Sequence, residues 1–98
     1  MAAPIQQVAI VGAGVIGSGW TARFLGAGLD VCAYDPAPGG EEKLRTAIDC
    51  AWPSMVQRGT APDASPQRLR FCPTLEACVR EAQFIQENAE FAREAVDV

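Results

Sequence analysis

Apolar and polar positions follow two rhythms along this chain, one suited to strands and one to helices. Residues 7–11, QVAIV, are continuous, apolar and rich in β-branched side chains, which predicts a buried strand. From Val15 to Ala27 the residues Ile16, Trp20 and Phe24 recur at steps of four, which predicts a helix with these residues on one face. Gly28 then closes that helix in the C′ position. Leu29 to Tyr34, LDVCAY, reads as a second strand, ended by Asp35 and the turn PAPGG. Glu41 to Gln57 reads as a second helix, with an apolar stripe of Leu44, Ile48, Ala51 and Met55 and two acids at its positive end. Pro53 falls inside the stripe and predicts a kink or an early end.

The second half is more broken. RGTAPDASPQ is a loop, and Ser65 before Pro66 predicts a capped helical turn. Arg70 to Cys72 reads as a short third strand. Thr74 caps a predicted helix over Leu75 to Ala82, and FIQE, Phe84 to Glu87, reads as a fourth strand. The final EFAREAVDV could begin another helix. The alternation β-α-β-α-β-α-β predicts an α/β fold: a Rossmann-type parallel sheet with right-handed crossover helices, N-terminal portion only.

The junction of the first strand and helix carries the clearest chemistry. It reads GAGVIG, with Gly12, Gly14 and Gly17 in G-x-G-x-x-G spacing. Alone that spacing is weak, but it directly follows a strand and opens a helix, as a dinucleotide loop requires. Gly12 permits the sharp turn, Gly14 permits close approach of a diphosphate, and Gly17 lets the helix pack against the strand. Open N–H groups at the helix start, contributed by the stretch Gly12, Ala13, Gly14, Val15, Ile16 and Gly17, face the phosphates. Asp35 ends the second strand eighteen residues after Gly17, where a carboxylate can accept from ribose hydroxyls. The nearest bases are Lys43 and Arg45, so NAD is expected rather than NADP. A P-loop is excluded by the missing lysine after Gly17. A flavin loop is similar in form, and a purely structural turn is the plain alternative.

Composition bounds the remaining possibilities. Ninety-eight residues make one small domain, half of them apolar, with a net charge of −4. The acidic balance and the lack of a basic run argue against nucleic acid and against an anionic membrane surface. No apolar stretch approaches the roughly twenty residues that span a bilayer, and the start MAAPIQQ lacks a signal-peptide pattern. A cytoplasmic setting is expected. Cys32, Cys50, Cys72 and Cys78 are irregularly spaced and there is no histidine, so free, mostly buried thiols are expected and no metal site. Glu76, Glu81, Glu87 and Glu90 read as solvated positions, with Glu87 at a strand end the least ordinary.

Four segments, VAIVGAGVIGSGW, LDVCAYDPAPG, AIDCAWPSM and RLRFCPTLEACVREAQFIQENA, resemble the N-terminal part of the 3-hydroxyacyl-CoA dehydrogenase family, in particular its carnitine-oxidising members. The resemblance covers residues 5 to 89. It implies NAD-dependent oxidation of a β-hydroxyl to a ketone, on a 3-hydroxyacyl-CoA or on carnitine. It carries the cofactor role onto Gly12, Gly14, Gly17 and Asp35, and puts 88–90 near the nicotinamide side. It implies a catalytic histidine, and a helical substrate and dimerisation domain, outside these residues; no catalytic residue is therefore assigned here. After the fourth strand the family's ENAPER pattern is replaced by ENAEFAREAVDV. Two expectations follow: an NAD-binding segment of such an oxidoreductase, or an inert fragment that binds NAD weakly or requires a partner chain. An open sheet edge favours self-association.

Overall fold

The computed structural model describes residues 5–87. Four strands, β1 (Gln7–Val11), β2 (Asp30–Tyr34), β3 (Leu69–Phe71) and β4 (Phe84–Glu87), form one parallel sheet in the order β3-β2-β1-β4. The helices are α1 (Val15–Gly26), α2 (Gly40–Arg58) and α3 (Leu75–Val79), with a 3₁₀ turn over Pro66–Arg68. The chain steps outward from β1 through β2 to β3, then returns across β1 to lay down β4 on the far side. Ligands of such sheets bind in the crevice where the direction reverses, beyond the carboxyl ends of the central strands. Here the reversal falls between β1 and β4, with the carboxyl end of β2 beside it.

β1 is central and buried from Val8 to Val11. Its side chains alternate between two cores. Val8 and Ile10 face α1 and α2 with Val31, Ala33, Leu25, Leu44 and Ile48. Ala9 faces the other way, with Cys72, Cys78 and the half-buried Cys32 and Tyr34 beside α3. This two-sided burial explains why β1 reads as an unbroken apolar run.

α1 forms where it was expected but turns differently. Its buried residues are Gly17, Thr21, Ala22 and Leu25, whereas Ile16 is 64% exposed. Trp20 and Phe24 pack at the rim of the core, stacked at 5.7 Å, with Phe24 edge-on to Phe84. The stripe read from hydrophobicity is thus displaced, because a helix held close to a sheet must present small residues to it. Thr21 belongs to that face and satisfies its hydroxyl on the Gly17 carbonyl at 2.8 Å. The helix ends in a Schellman motif, Gly28 donating to Leu25 and Leu29 to Phe24, with Gly28 at φ 86°.

α2 runs without a break past Pro53 to Arg58, so no early end occurs there. Pro53 and Asp49, whose carbonyl loses its partner, are both exposed, and water can satisfy that oxygen. Leu44 and Ile48 are buried, with Trp52 and Met55 packed alongside. β3 starts one residue earlier than expected and ends at Phe71. Ser65 accepts from Gln67 N–H and Thr74 from Ala77 N–H, as their caps require. α3 stops at Val79 instead of Ala82, the chain turning there to enter β4, with Ala82 N–H bonded back to Val79. The expected helix over EFAREAVDV, the segment 88–90 and Glu90 lie outside the described residues.

Candidate dinucleotide site

The end of β1 runs straight into the glycine loop. Gly12 adopts φ 95°, a conformation that L side chains rarely tolerate, and its N–H donates to the Tyr34 carbonyl at 2.8 Å. The sharp turn assigned to Gly12 is therefore real and is tied to the end of β2. At Gly17 a Cβ would run into the Gly12 carbonyl, so only glycine lets α1 approach β1 this closely. Gly14 is the opposite case. A Cβ there would meet nothing within 4 Å, and the residue is exposed. It is the open floor of the loop, with Val15 and Ile16 exposed beside it.

Among the described residues no side chain caps the first turn of α1. Gly14 is its N-cap and no acid lies in it. α2, by contrast, carries Glu41 and Glu42 in its first turn. The positive end of α1 thus remains available for an external anion.

Asp35 completes the arrangement. Its Oδ2 accepts from Ala13 N–H at 2.8 Å and its Oδ1 from Ala37 N–H at 2.9 Å. The carboxylate of β2 is thereby fixed against the loop that follows β1, and each oxygen keeps further acceptor capacity. The sequence placed Ala13 only in the loop; its hydrogen bond to Asp35 depends on the strands lying side by side. Asp35 also lines a cavity of about 490 Å³ with Tyr34, Pro36, Glu41, Phe71 and Pro73. Phe71 and Glu41 were not among the expected site residues. The signal that could have found Glu41 is the glycine pair before it: a Cβ on Gly40 would sit 3.3 Å from the Asp35 Cβ, so α2 begins against that carboxylate.

The glycine turn, the uncapped helix start and the held carboxylate together fit a diphosphate followed by a ribose. The chain matches the family model "3-hydroxyacyl-CoA dehydrogenase, NAD binding domain" over residues 7–95. The chain belongs to this family. The 3-hydroxyacyl-CoA dehydrogenase family is an NAD-dependent one, and NAD is the cofactor its domain implies. The L-carnitine dehydrogenase of Burkholderia mallei is 56% identical over 85 residues, covering 87% of this chain and 26% of that protein. The chain therefore spans about a quarter of the length of the curated relatives it matches. Among solved structures, the FHMPC 5-dehydrogenase, described as an NAD+-dependent dismutase, superposes with a TM-score of 0.77 at 28% identity, over 96% of this chain and 31% of its own. The 3-hydroxybutyryl-CoA dehydrogenase of Escherichia coli superposes equally well, at 0.77 and 23% identity, over 96% of this chain and 21% of its own, and supports the fold.

The remaining chemistry-bearing groups lie elsewhere. Burial raises the Cys32 thiol above its ordinary value and pushes Cys78 up to about 12, so both are neutral at pH 7 and act as packing groups. Cys50 is exposed, against the general expectation of burial. Among the described residues no cluster of three or more His, Cys, Asp or Glu could hold a metal, and no helix is long and apolar enough to cross a membrane. Glu76 pairs with Arg80, and Glu87 is exposed at the end of β4.

Proposed function

We propose that this chain binds NAD through Gly12, Ala13, Gly14, Val15, Ile16, Gly17 and Asp35, and serves a dehydrogenase that oxidises the β-hydroxyl of L-carnitine. The observation that carries this reading is the bond between Asp35 and Ala13 N–H, which couples the ribose acceptor to the phosphate loop. Loop amides and the positive end of α1 hold the diphosphate. Asp35 accepts from the adenosine ribose, and its charge opposes a 2′-phosphate. The cofactor, when bound, supplies hydride acceptance. Carnitine is favoured over a 3-hydroxyacyl-CoA by the identity with L-carnitine dehydrogenases, 49–56% across several bacterial genera. The resemblance to the family implies a catalytic histidine and a helical substrate domain, and residues 1–98 contain no histidine. A cytoplasmic setting suits this chemistry.

The decisive test is an NAD titration by fluorescence on the wild type and on Gly14→Ala and Asp35→Asn. Each variant should bind NAD at least about tenfold more weakly, the loss of one charge-assisted hydrogen bond or of close phosphate approach. Unchanged affinity in both would sink the assignment. NADH production from L-carnitine but not from 3-hydroxybutyryl-CoA, by this chain joined to the remaining part of an L-carnitine dehydrogenase, checks the substrate.

A second reading concerns partners. Phe84 and Ile85 are 42% and 46% exposed along the outer strand β4, which supports self-association or a partner chain at that edge. Light scattering that gave a constant monomer mass over a hundredfold concentration range would remove this reading.

A further inference from the structure

The sequence names two bases near the ribose carboxylate, Lys43 and Arg45, and explains neither. The structure separates them. Lys43 is exposed and lines neither cavity beside Asp35. Arg45 lines a cavity of about 620 Å³ together with Ala37, Gly40, Glu41, Glu42 and Asp49. That cavity adjoins the one that contains Asp35, and Glu41 lines both. One helical turn separates Glu41 from Arg45, and the Arg45 Nε donates to Glu41 Oε2 at 3.0 Å.

Resting on the reading that the adenosine ribose meets Asp35, we propose that Glu41 is a second determinant of selection against a 2′-phosphate. It acts in two ways. Glu41 lines the same cavity as Asp35, and its negative charge repels a dianionic phosphate there. It also holds the guanidinium of Arg45, the base on this side of the site able to clamp a phosphate in bidentate fashion. An exposed pair of this kind is individually weak, so the restraint matters only as a difference between two ligands. NAD, with a neutral 2′-hydroxyl, needs neither group removed. NADP meets the repulsion of Glu41 and finds Arg45 engaged.

The discriminating measurement is the ratio of NADP to NAD dissociation constants at low ionic strength, by fluorescence titration. Wild type is expected to favour NAD strongly. Glu41→Gln keeps the shape, removes the charge and frees Arg45; the ratio should fall about tenfold, with NAD affinity nearly unchanged. Arg45→Ala alone should not lower the ratio and should raise it slightly, because the Glu41 charge is left unpaired. Glu41→Gln with Arg45→Ala should lose the part of the gain that the freed Arg45 supplies and keep the part due to the lost repulsion. An unmoved ratio in Glu41→Gln, or a gain fully kept in the double variant, overturns the proposal. Asp35→Asn separates the two layers. If it weakens NAD while Glu41→Gln leaves the ratio unmoved, this inference fails and the ribose reading stands. If it leaves NAD binding intact, both fall. Near-unit NADP and NAD affinities in the wild type would also overturn it.

Discussion

Gly14 and Gly17 differ by three positions and by opposite constraints. At Gly17 the backbone of Gly12 occupies the space a side chain would need, so Gly17→Ala should destabilise the fold by about 1–3 kcal/mol, the usual cost of overpacking. Urea denaturation checks this. At Gly14 the space is open, and the N-cap position tolerates alanine at a cost of under about 1 kcal/mol. Gly14→Ala should therefore fold nearly as well as the wild type while binding NAD poorly. The G-x-G-x-x-G spacing, and the assignment of Gly14 to a diphosphate and of Gly17 to close helix packing, were read from the chain; what fills or leaves open the space at each was not. That space follows from the geometry of the turn, which brings the Gly12 carbonyl against Gly17 and leaves Gly14 open. The same holds for Asp35. Its position after a strand was readable, but its two backbone donors, Ala13 and Ala37, were not.

Helices and strands were legible where local signals were strong. Thr74 and Ser65 cap the turns they were expected to cap, because a hydroxyl two or three residues before an orphan N–H acts locally. Replacing Thr74 by Ala should cost about 1 kcal/mol, measured by thermal or chemical denaturation. Pro53 shows the opposite outcome. The helix passes through it because Leu44, Ile48 and Trp52 anchor the preceding turns and Met55 holds the following one against the core. Burial of that face outweighs one lost hydrogen bond on the wet side. Pro53→Ala should restore the bond at an exposed site and raise stability by up to about 3 kcal/mol, read as a higher melting temperature. A lower melting temperature would mean that Pro53 is matched to its backbone. The face of α1 was misread for a related reason. Periodicity finds the large apolar residues, whereas close packing against β1 selects Gly17, Thr21 and Ala22.

At the scale of the whole molecule the two sides of the sheet differ in character. One side is a broad aliphatic core under α1 and α2; the other is a small core built from Ala9, Cys72 and Cys78 under α3. Cys78 is 1% exposed, and its thiol bonds to the Cys32 carbonyl at 3.3 Å. Its folded value near 12 lies above the ordinary 9.0, so between these values the folded state retains a proton that the unfolded chain has lost. Stability should accordingly be insensitive to this group below pH 9 and fall as pH rises from 9 towards 12. Cys78→Ala should flatten that decline, and denaturation curves at several alkaline pH values test it. Cys50, exposed on α2, should react with a thiol reagent at once, while Cys72 and Cys78 react only on unfolding.

The chain by itself determined the parallel α/β class, the order of its elements, the glycine loop and the carboxylate at the end of β2. Each of these is written in residues within a few positions of one another, through period, cap or turn. Only the tertiary structure decided which face of α1 is buried, that α2 survives its proline, and that Glu41 shares a cavity with Asp35 while pairing with Arg45. Those outcomes depend on residues far apart in sequence sharing one volume, and the closeness of packing, not local preference, settles them.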